Sequence, residues 1–338
     1  MSYGIHRKAF FFGGITALIA LFVSSAFWYS LELKKPVRPS EAIFRIEKGS
    51  TLRDVAVSLQ RAGIIDNAKV FILYGRLGGQ DTSIQAGSYE IPASLAVGDL
   101  LGFFQKGSDI SVSVLLREGL TLKESLEELK KSGLTLDEEF FFSPPSSVKN
   151  PYAFLADLPQ GASLEGFLFP DTYQFPTDAS SEEVVRTILG NFQKKFDPTW
   201  YNEIKGQKHT MYQAIIMASI LEKEVLTTED KKLAAGLLWK RFELGMPLQV
   251  DSSVNYVTGK NLPAVTAADL TIDSPYNTYK HAGLPPGPIS NPGRESIEAA
   301  IFPESSQYWF YLSRQDTGET VFSRTLKEHN TAKAKYLK

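Results

Sequence analysis

Residues 211–224 read MYQAIIMASILEKE. Its side chains are apolar almost all round, which predicts a helix buried in a core. Glu222 lies on the same face as Ala218 and Ser219, about one turn back. Because these two neighbours are small, we expect room for a substrate beside Glu222. Glu224 lies about 200° away around the helix axis, so at most one of the two carboxylates faces any cleft.

A carboxyl group at the end of a buried helix can serve as a general acid. Apolar surroundings disfavour the charged form and raise the pKa of the group, so that it can hold a proton near neutral pH. A catalyst that protonates a glycosidic oxygen needs such a group. The alternative is a surface residue, or an ion-pair partner of Lys223 or of a basic residue in the next helix. The residues alone leave both readings of Glu222 open.

The composition argues against several classes of protein. The chain has 338 residues, of which 43% are hydrophobic, and its formal net charge is −2. A nucleic-acid-binding domain normally shows a surplus of basic residues, so we expect no nucleic-acid partner. There is no cysteine, and the four histidines are scattered without the spacing of metal ligands. We therefore expect neither a metal nor a cofactor.

The amino terminus has the pattern of a membrane anchor. Residues 9–31 contain no charged side chain, and as a helix they would span roughly 34 Å, enough for a bilayer core. We predict a transmembrane helix over 9–31, preceded by a short cytoplasmic head over 1–8. The alternative is a cleaved signal peptide, which has a shorter apolar run. Basic residues flank the segment on both sides, so the charge pattern leaves its orientation open.

The pattern that follows is typical of an α+β protein. Residues 32–41 are a polar, proline-bearing linker. From residue 42 an alternating strand leads to Gly49 and then to Thr51, which predicts the capped start of a helix within a small unit ending at 108. The remainder, 109–338, has helical patterns over 181–196, 211–225 and 228–244, a β-hairpin pattern over 306–323, and an aperiodic stretch over 137–160 that we interpret as an insertion.

Three polar segments have the character of binding loops: 248–254, 273–279 and 283–293. Their amide, hydroxyl and phenol groups can hydrogen-bond to sugars, and proline and glycine restrict the backbone of the third. Each segment, taken singly, can equally be a structural turn. The apolar stretch 164–173 predicts a strand that ends in a Pro-Asp turn, and Glu165 within it is a second candidate carboxylate.

Taken together, these strings resemble one family, the YceG-like endolytic murein transglycosylases. The resemblance rests on LEGFLFPDTY (164–173), ASILEKE (218–224), LQVDSSVNY (248–256), SPYNTY (274–279) and GLPPGPISNPG (283–293), and on their order. The anchor and the REGLT segment (117–121) agree with it. It implies an α+β fold in three parts: an N-terminal transmembrane helix, a small LysM-like α/β unit over 42–108, and a larger YceG-like catalytic domain over 109–338.

The resemblance also implies roles for individual residues. Glu222 matches the first glutamate of the family's EKE motif and is therefore expected to be catalytic. The expected substrate-binding residues of the cleft are Gln249, Asp251, Asn277 and Tyr279. Two departures affect the subsites: Ser252-Ser253 stands where the family usually has Pro-Thr, and Val225 stands where a small hydroxyl residue is common.

The function implied by the resemblance is cleavage of the bond between N-acetylmuramic acid and N-acetylglucosamine in nascent peptidoglycan strands. The products would carry 1,6-anhydromuramyl ends, and cleavage would end strand elongation. The expected setting is the bacterial inner (cytoplasmic) membrane, with the C-terminal domain extracytoplasmic (periplasmic) and peptidoglycan synthases as natural partners. Two alternatives stay open: a membrane-tethered glycan-binding scaffold without activity, and a muramidase-type hydrolase with Glu165 or Asp251 as its second carboxylate.

Overall fold

The structure is a computed structural model, and its described backbone covers 3–38, 43–47, 49–79, 84–107, 110–260, 265–314 and 316–337, with side chains from residue 18 onward. Its contacts divide the chain into two compact units. The first unit comprises Met1–Ser111 with Pro176–Asp178, and the second comprises Val112–Phe175 with Ala179–Lys338. The predicted boundaries at 41/42 and 108/109 involve residues outside the described part and stay predictions.

The first unit is a small α/β arrangement around its own core. Its elements are α1 (Tyr3–Lys34), β1 (Phe44–Ile46), α2 (Leu52–Arg61), α3 (Ala68–Leu77), β2 (Gly87–Tyr89) and α4 (Leu100–Gln105). β1 and β2 pair antiparallel, with Phe44 opposite Tyr89. The predicted capped start of α2 is confirmed, because the Thr51 side chain accepts from the Asp54 backbone while the Asp54 carboxylate accepts from the Thr51 backbone.

The predicted anchor over 9–31 lies within α1, which begins at Tyr3 and ends at Lys34. Within the residues whose side chains are described, no helix is both long enough and apolar enough to cross a membrane. Residues 9–17 of the predicted span lie outside those residues. The transmembrane helix over 9–31 therefore stays a prediction from the sequence.

Among the described residues, the second unit contains most of the helices and two small sheets; only Ser111 at the start of β3 and Pro176 at the end of β4 are counted with the first unit. Its elements are β3 (Ser111–Leu116), α5 (Leu122–Lys131), α6 (Glu139–Phe142), α7 (Ser146–Lys149), β4 (Asp171–Pro176), α8 (Ser181–Lys195), α9 (Trp200–Gly206), α10 (Met211–Glu224), α11 (Thr228–Glu243), α12 (Asp251–Thr258), α13 (Arg294–Ile301), β5 (Phe310–Ser313), β6 (Thr320–Ser323) and α14 (Leu326–Tyr336). β3 pairs with β4, and β5 pairs antiparallel with β6. The predicted α+β class and the C-terminal hairpin are confirmed.

The helix α10 is the central element of the second unit, as its sequence predicts. It packs against α11, α12 and α13, and every side chain from Ala214 to Leu221 is buried. Thr210 and Gln213 form a capping box at its start. Its end follows from Val225, whose extended backbone turns the chain away directly after Glu224. The last turn of α10 therefore carries the acidic residues out of the core to its edge.

The segment around Glu165 differs from its predicted conformation. Residues 164–168 form turns and bends, 169–170 are irregular, and the strand β4 begins only at Asp171. The reason is Gly166, whose φ of +87° places it in the left-handed region, so that an extended strand cannot pass through it. The apolar side chains of this segment are buried nonetheless, because the turns direct Leu164 and Phe167 into the core.

The aperiodic stretch over 137–160 is also part of the core. It contains α6, α7 and a 3₁₀ turn at Ala153–Leu155. Phe154 packs on Phe192 of α8 with ring centroids 4.5 Å apart. Phe141 and Val148 are fully buried in the same cluster. The aromatic residues that disturb the helical periodicity of this stretch are thus the ones that attach it to the second unit.

Candidate active site

Glu222 lies in the last turn of α10, where its side chain is 9% exposed. Its Oε2 accepts the backbone N–H of Gly293 at 3.1 Å and the Ser296 hydroxyl at 2.6 Å. Gly293 is the N-cap of α13 and Ser296 lies in its first turn, so the carboxylate sits at the positive end of that helix. The start of α13 therefore holds one oxygen of Glu222 in a fixed orientation.

Lys231 of α11 completes this arrangement. Its Nζ lies 3.6 Å from Oε2 of Glu222, and its side chain is only 6% exposed. The sequence left open that Glu222 pairs with a basic residue of the next helix. The pair of Glu222 and Lys231 is such an ion pair. In the described part of the chain, all hydrogen bonds and ion pairs of Glu222 fall on Oε2. Oε1 therefore has no hydrogen bond or ion pair among the described residues.

Glu118 brings a second carboxyl group to this place, and the sequence did not point to it. Gly293 lies between the two carboxylates. The N–H of Gly293 donates to Glu222, and a Cβ added to Gly293 would lie 2.0 Å from Oε1 of Glu118. Partial burial of the carboxyl group first, and then the negative charge of Glu222, raise the pKa of Glu118. The sequence feature that could have indicated Glu118 is its position in the REGLT segment. No local periodicity connects that segment with α10.

Reciprocal backbone hydrogen bonds bring the REGLT segment to the proline-rich loop. The N–H of Gly119 donates to the Asn291 carbonyl at 2.9 Å, and the N–H of Asn291 donates to the Leu120 carbonyl at 2.7 Å. The buried Asn291 side chain adds bonds to the Leu168 N–H and to the Leu120 carbonyl. Three of the predicted motifs thus meet at one buried asparagine.

The small residues beside Glu222 have a different role from the one predicted. The Ser219 hydroxyl accepts the N–H of Ile289 at 3.0 Å, and its carbonyl accepts the Ser290 hydroxyl at 3.1 Å. Ser219 and Ala218 are completely buried. The expected room for a substrate on this face of α10 is therefore filled by the loop 283–293, because small side chains let its backbone approach closely.

Two of the predicted cleft residues, Asp251 and Tyr279, lie together beside Glu224. The Tyr279 hydroxyl donates to Asp251 at the start of α12. Glu224 accepts the N–H of Ser252 at 2.9 Å and the hydroxyl of Tyr311 at 3.1 Å. Burial raises the pKa of Glu224. Among the described contacts, the cluster is bonded to the second glutamate of EKE and not to the first.

The other two predicted cleft residues differ in accessibility. Gln249 is exposed, and its side-chain oxygen accepts from Arg241 at 2.6 Å. Asn277 is 1% exposed, and its amide donates to the carbonyls of Leu270 and Ile272 at 3.0 and 2.9 Å. The placement of Asn277 is that of a residue that stabilises its own loop, so the prediction that it lines a cleft has no support in these contacts.

Glu165, the second candidate carboxylate of the sequence, lies elsewhere in the second unit. It is 5% exposed and accepts the N–H of Leu122 at 2.8 Å and the hydroxyl of Tyr256 at 3.1 Å. Burial raises its pKa to about 8. These bonds tie Glu165 to the start of α5 and to α12. Among the described residues no group of three or more acidic or histidine side chains is placed to hold a metal ion.

Comparisons with known proteins show what this chain is similar to. The model of the YceG-like family matches residues 44–335. An endolytic murein transglycosylase of Bacillus subtilis (strain 168) is 32% identical over 335 residues, which cover 94% of this chain and 91% of that protein. An endolytic murein transglycosylase of Streptococcus pneumoniae (strain D39) is 29% identical over 98% of this chain and 66% of its own length.

A solved crystal structure described as a YceG-like protein of Listeria monocytogenes is similar in fold. It superposes with a TM-score of 0.59 at 31% identity, over 87% of this chain and 99% of that one. The match of the family model over nearly the whole length, together with the Bacillus relative, shows the family. The chain therefore belongs to the YceG-like family.

Proposed function

We propose that this chain is an endolytic murein transglycosylase and that Glu222 is its catalytic residue. The observation that carries the proposal is the asymmetry of this carboxyl group: Gly293, Ser296 and Lys231 hold Oε2, while Oε1 is left for a substrate. A positioned carboxyl of this kind can both give and take a proton. The names of the Bacillus and Streptococcus relatives support the same activity.

In the proposed reaction, Glu222 donates its proton to the oxygen that links N-acetylmuramic acid to N-acetylglucosamine. The bond from this oxygen to muramyl C1 breaks, and positive charge develops at C1. Glu222 then takes the proton of the muramyl C6 hydroxyl, whose oxygen bonds to C1 and closes a 1,6-anhydro ring. Because the nucleophile belongs to the substrate, proximity replaces a bound water and a second carboxylate is not required.

The test is Glu222→Gln, with products identified by mass spectrometry of purified glycan strands. Glutamine keeps the shape of the side chain but cannot donate the proton, so we expect a loss of anhydromuramyl products of about 10²–10⁴-fold. Glu127→Gln, at an exposed position of α5, is the matched control. Release of these products at the wild-type rate by Glu222→Gln would rule out the assignment.

Folding must be measured in the same preparations, because the substitution also leaves Lys231 buried without its partner. Removing one member of a buried pair lowers stability. The assay is therefore run well below the unfolding temperature of the variant. A non-catalytic glycan-binding protein, the other class kept open, would leave the strands unchanged with the wild-type chain and still bind them.

A muramidase-type hydrolase is a second candidate, and Glu118 is the observation that favours it. An inverting hydrolase needs a second carboxylate roughly 6.5–9.5 Å away to activate a water. Neither Glu165 nor Asp251, the two candidates from the sequence, contacts Glu222 among the described hydrogen bonds. Glu118 lies on the other side of Gly293 and is exposed. The products decide: hydrolysis leaves reducing ends that take up oxygen from labelled water, and transglycosylation leaves anhydro ends.

We further propose that residues 9–31 anchor the chain in the bacterial cytoplasmic membrane, with the LysM-like unit (42–108) and the catalytic domain on the outer side. There the enzyme would cut nascent strands made by peptidoglycan synthases and so end their growth. The uncharged run of 9–31 supports the anchor. Protease added outside spheroplasts should digest the C-terminal part, and full protection in intact spheroplasts would contradict this orientation.

A further inference from the structure

Gln249 has a backbone conformation that its side chain does not favour. Its φ is +57°, in the left-handed region where residues other than glycine are rare. The surroundings hold it there, because its N–H donates to the Thr278 carbonyl and the N–H of Val250 donates to the Thr278 hydroxyl. Strain of this kind, at an exposed residue, is concentrated at functional sites.

The buried residue Arg241 binds the side chain of Gln249. Arg241 is 6% exposed as a residue, and its guanidinium lies over the Phe310 ring. Among the described residues it forms no ion pair with a carboxylate. Its Nη2 donates to Oε1 of Gln249 at 2.6 Å and its Nη1 to the Trp309 carbonyl at 3.5 Å, while Nε has no partner among the described residues. A buried cation normally has a charged partner. Here the neutral amide of Gln249 takes the place of that partner.

This contact determines which atoms of Gln249 remain available. Arginine has only donors, so the atom it contacts must be the amide oxygen. Nε2, with its two N–H groups, therefore points away from Arg241, and in the described part of the chain no acceptor binds it. Gln249 thus presents two N–H donors in a fixed orientation. Such a pair can bind a hydrogen-bond acceptor of a ligand.

Gln249 directly precedes Val250, the N-cap of α12, and the start of α12 contacts the last turn of α10. Ser252, three residues after Gln249, donates its N–H to Glu224, which is two residues after Glu222. Asp251 and Tyr279 belong to the same cluster. The backbone that carries Gln249 is therefore connected, through Ser252 and Glu224, to the last turn of α10, which also carries Glu222.

We infer that Gln249 is a specificity-determining residue whose amide N–H groups, oriented by Arg241, donate to an amide carbonyl of the glycan substrate. The inference rests on the proposed function. The amide carbonyl has two sources in the substrate: the acetamido groups on the sugar rings and the stem peptide. Both groups present the same hydrogen-bond acceptor, an amide carbonyl oxygen. The experiment below distinguishes which of the two binds Gln249.

Gln249→Glu is the deciding variant, because it keeps an oxygen for Arg241 and replaces the two donors by an acceptor. We expect KM for glycan strands to rise about tenfold, with kcat changed less than about threefold. The unfolding temperature should stay the same or rise, since Arg241 gains a carboxylate partner. A merely structural role predicts the opposite combination, lower stability with unchanged KM. Gln193→Glu, an exposed position of α8, controls for the added charge.

Two modified substrates identify the carbonyl. If it belongs to an acetamido group, the difference between wild type and Gln249→Glu disappears on de-N-acetylated strands. If it belongs to the stem peptide, the difference disappears on strands stripped of peptide by an amidase. A difference that persists on both, or no rise in KM on intact strands, overturns the inference.

A binding measurement separates this inference from the proposed function. The dissociation constant for intact strands is measured with Glu222→Gln, alone and combined with Gln249→Glu. If wild type cleaves nothing, the proposed function fails, while weaker binding by the double variant still supports the role of Gln249. If wild type cleaves and the two dissociation constants are equal, only the role of Gln249 is refuted.

Discussion

Glu222 and Glu224 are two residues apart on α10, yet their carboxylates bind the starts of two different helices. Glu222 accepts the N–H of Gly293 at the start of α13, and Glu224 accepts the N–H of Ser252 at the start of α12. An angle of about 200° between the two side chains makes this division unavoidable. One glutamate is therefore placed beside Lys231 and Glu118, and the other belongs to the cluster of Asp251 and Tyr279.

Gly293→Ala should disturb the site through a single contact. The backbone of Gly293 (φ −74°) suits alanine, but the new Cβ would lie 2.0 Å from Oε1 of Glu118. We expect Glu118 to be displaced and the free energy of unfolding to fall by about 1–3 kcal/mol. In a Glu118→Ala background the same substitution should cost much less, and denaturant unfolding of the four proteins gives the coupling.

Gly190→Ala is the matched control for that cycle. Gly190 lies within α8, and a Cβ there would meet no atom within 4 Å. Alanine should therefore stabilise the helix by about 0.5–1 kcal/mol, with or without Glu118. Equal costs of Gly293→Ala in the wild-type and Glu118→Ala backgrounds would show that the contact with Glu118 is not the cause.

Glu118→Gln distinguishes the two proposed reactions. If Glu222 works alone, we expect anhydro products within about tenfold of the wild-type rate. If Glu118 activates a water, activity should fall by about 10²–10⁴-fold. The raised pKa of Glu118 means that the folded wild type loses stability as the pH rises from the ordinary carboxyl pKa through the raised one. Glutamine does not titrate, so the variant should be more stable than the wild type at neutral pH. Lower stability above the ordinary carboxyl pKa would contradict that electrostatic account.

Glu165 should make stability depend on pH in an unusual direction. Its pKa is about 8 in the folded protein and about 4.5 in the unfolded chain. The folded state therefore binds the extra proton in this window, and wild-type stability decreases as pH rises from about 4.5 to about 8. Glu165→Gln keeps the acceptor for Leu122 and removes the titration. Its stability relative to wild type should rise by up to about 1.4 kcal/mol per pH unit across the window. Urea unfolding at several pH values measures this, and a pH-independent difference would refute it.

Asn277→Asp tests whether Asn277 is a cleft residue or a structural one. Aspartate keeps the acceptor for the Tyr279 N–H but loses the donors to the carbonyls of Leu270 and Ile272. Because these groups are buried, we expect a loss of about 1–3 kcal/mol in unfolding free energy. Tyr279→Phe, which removes only the bond to Asp251, is the comparison. An unchanged unfolding free energy with a raised KM would restore the role in substrate binding that the family resemblance implies.

Local patterns were sufficient to predict most of the elements. The buried helix α10, the capping box of α2 and the hairpin β5–β6 all follow from residues close together in sequence. The segment 164–170 was predicted wrongly because its apolar run is that of a strand, while a single glycine in the left-handed region turns the chain. Composition cannot reveal such a turn when the residues on both sides are buried.

The sequence by itself determined that a buried helix ends in two glutamates on different faces, because helical geometry acts within a few residues. Only the tertiary structure decided what each glutamate meets. Gly293 and Ser296, which hold Glu222, are 71 and 74 positions away from it. No periodicity connects residues so far apart, and their contact depends on how α13 packs against α10 and on the space that Ala218 and Ser219 give to the loop before it. The same packing placed Glu118 beside Glu222 and left Gln249 paired with a buried arginine.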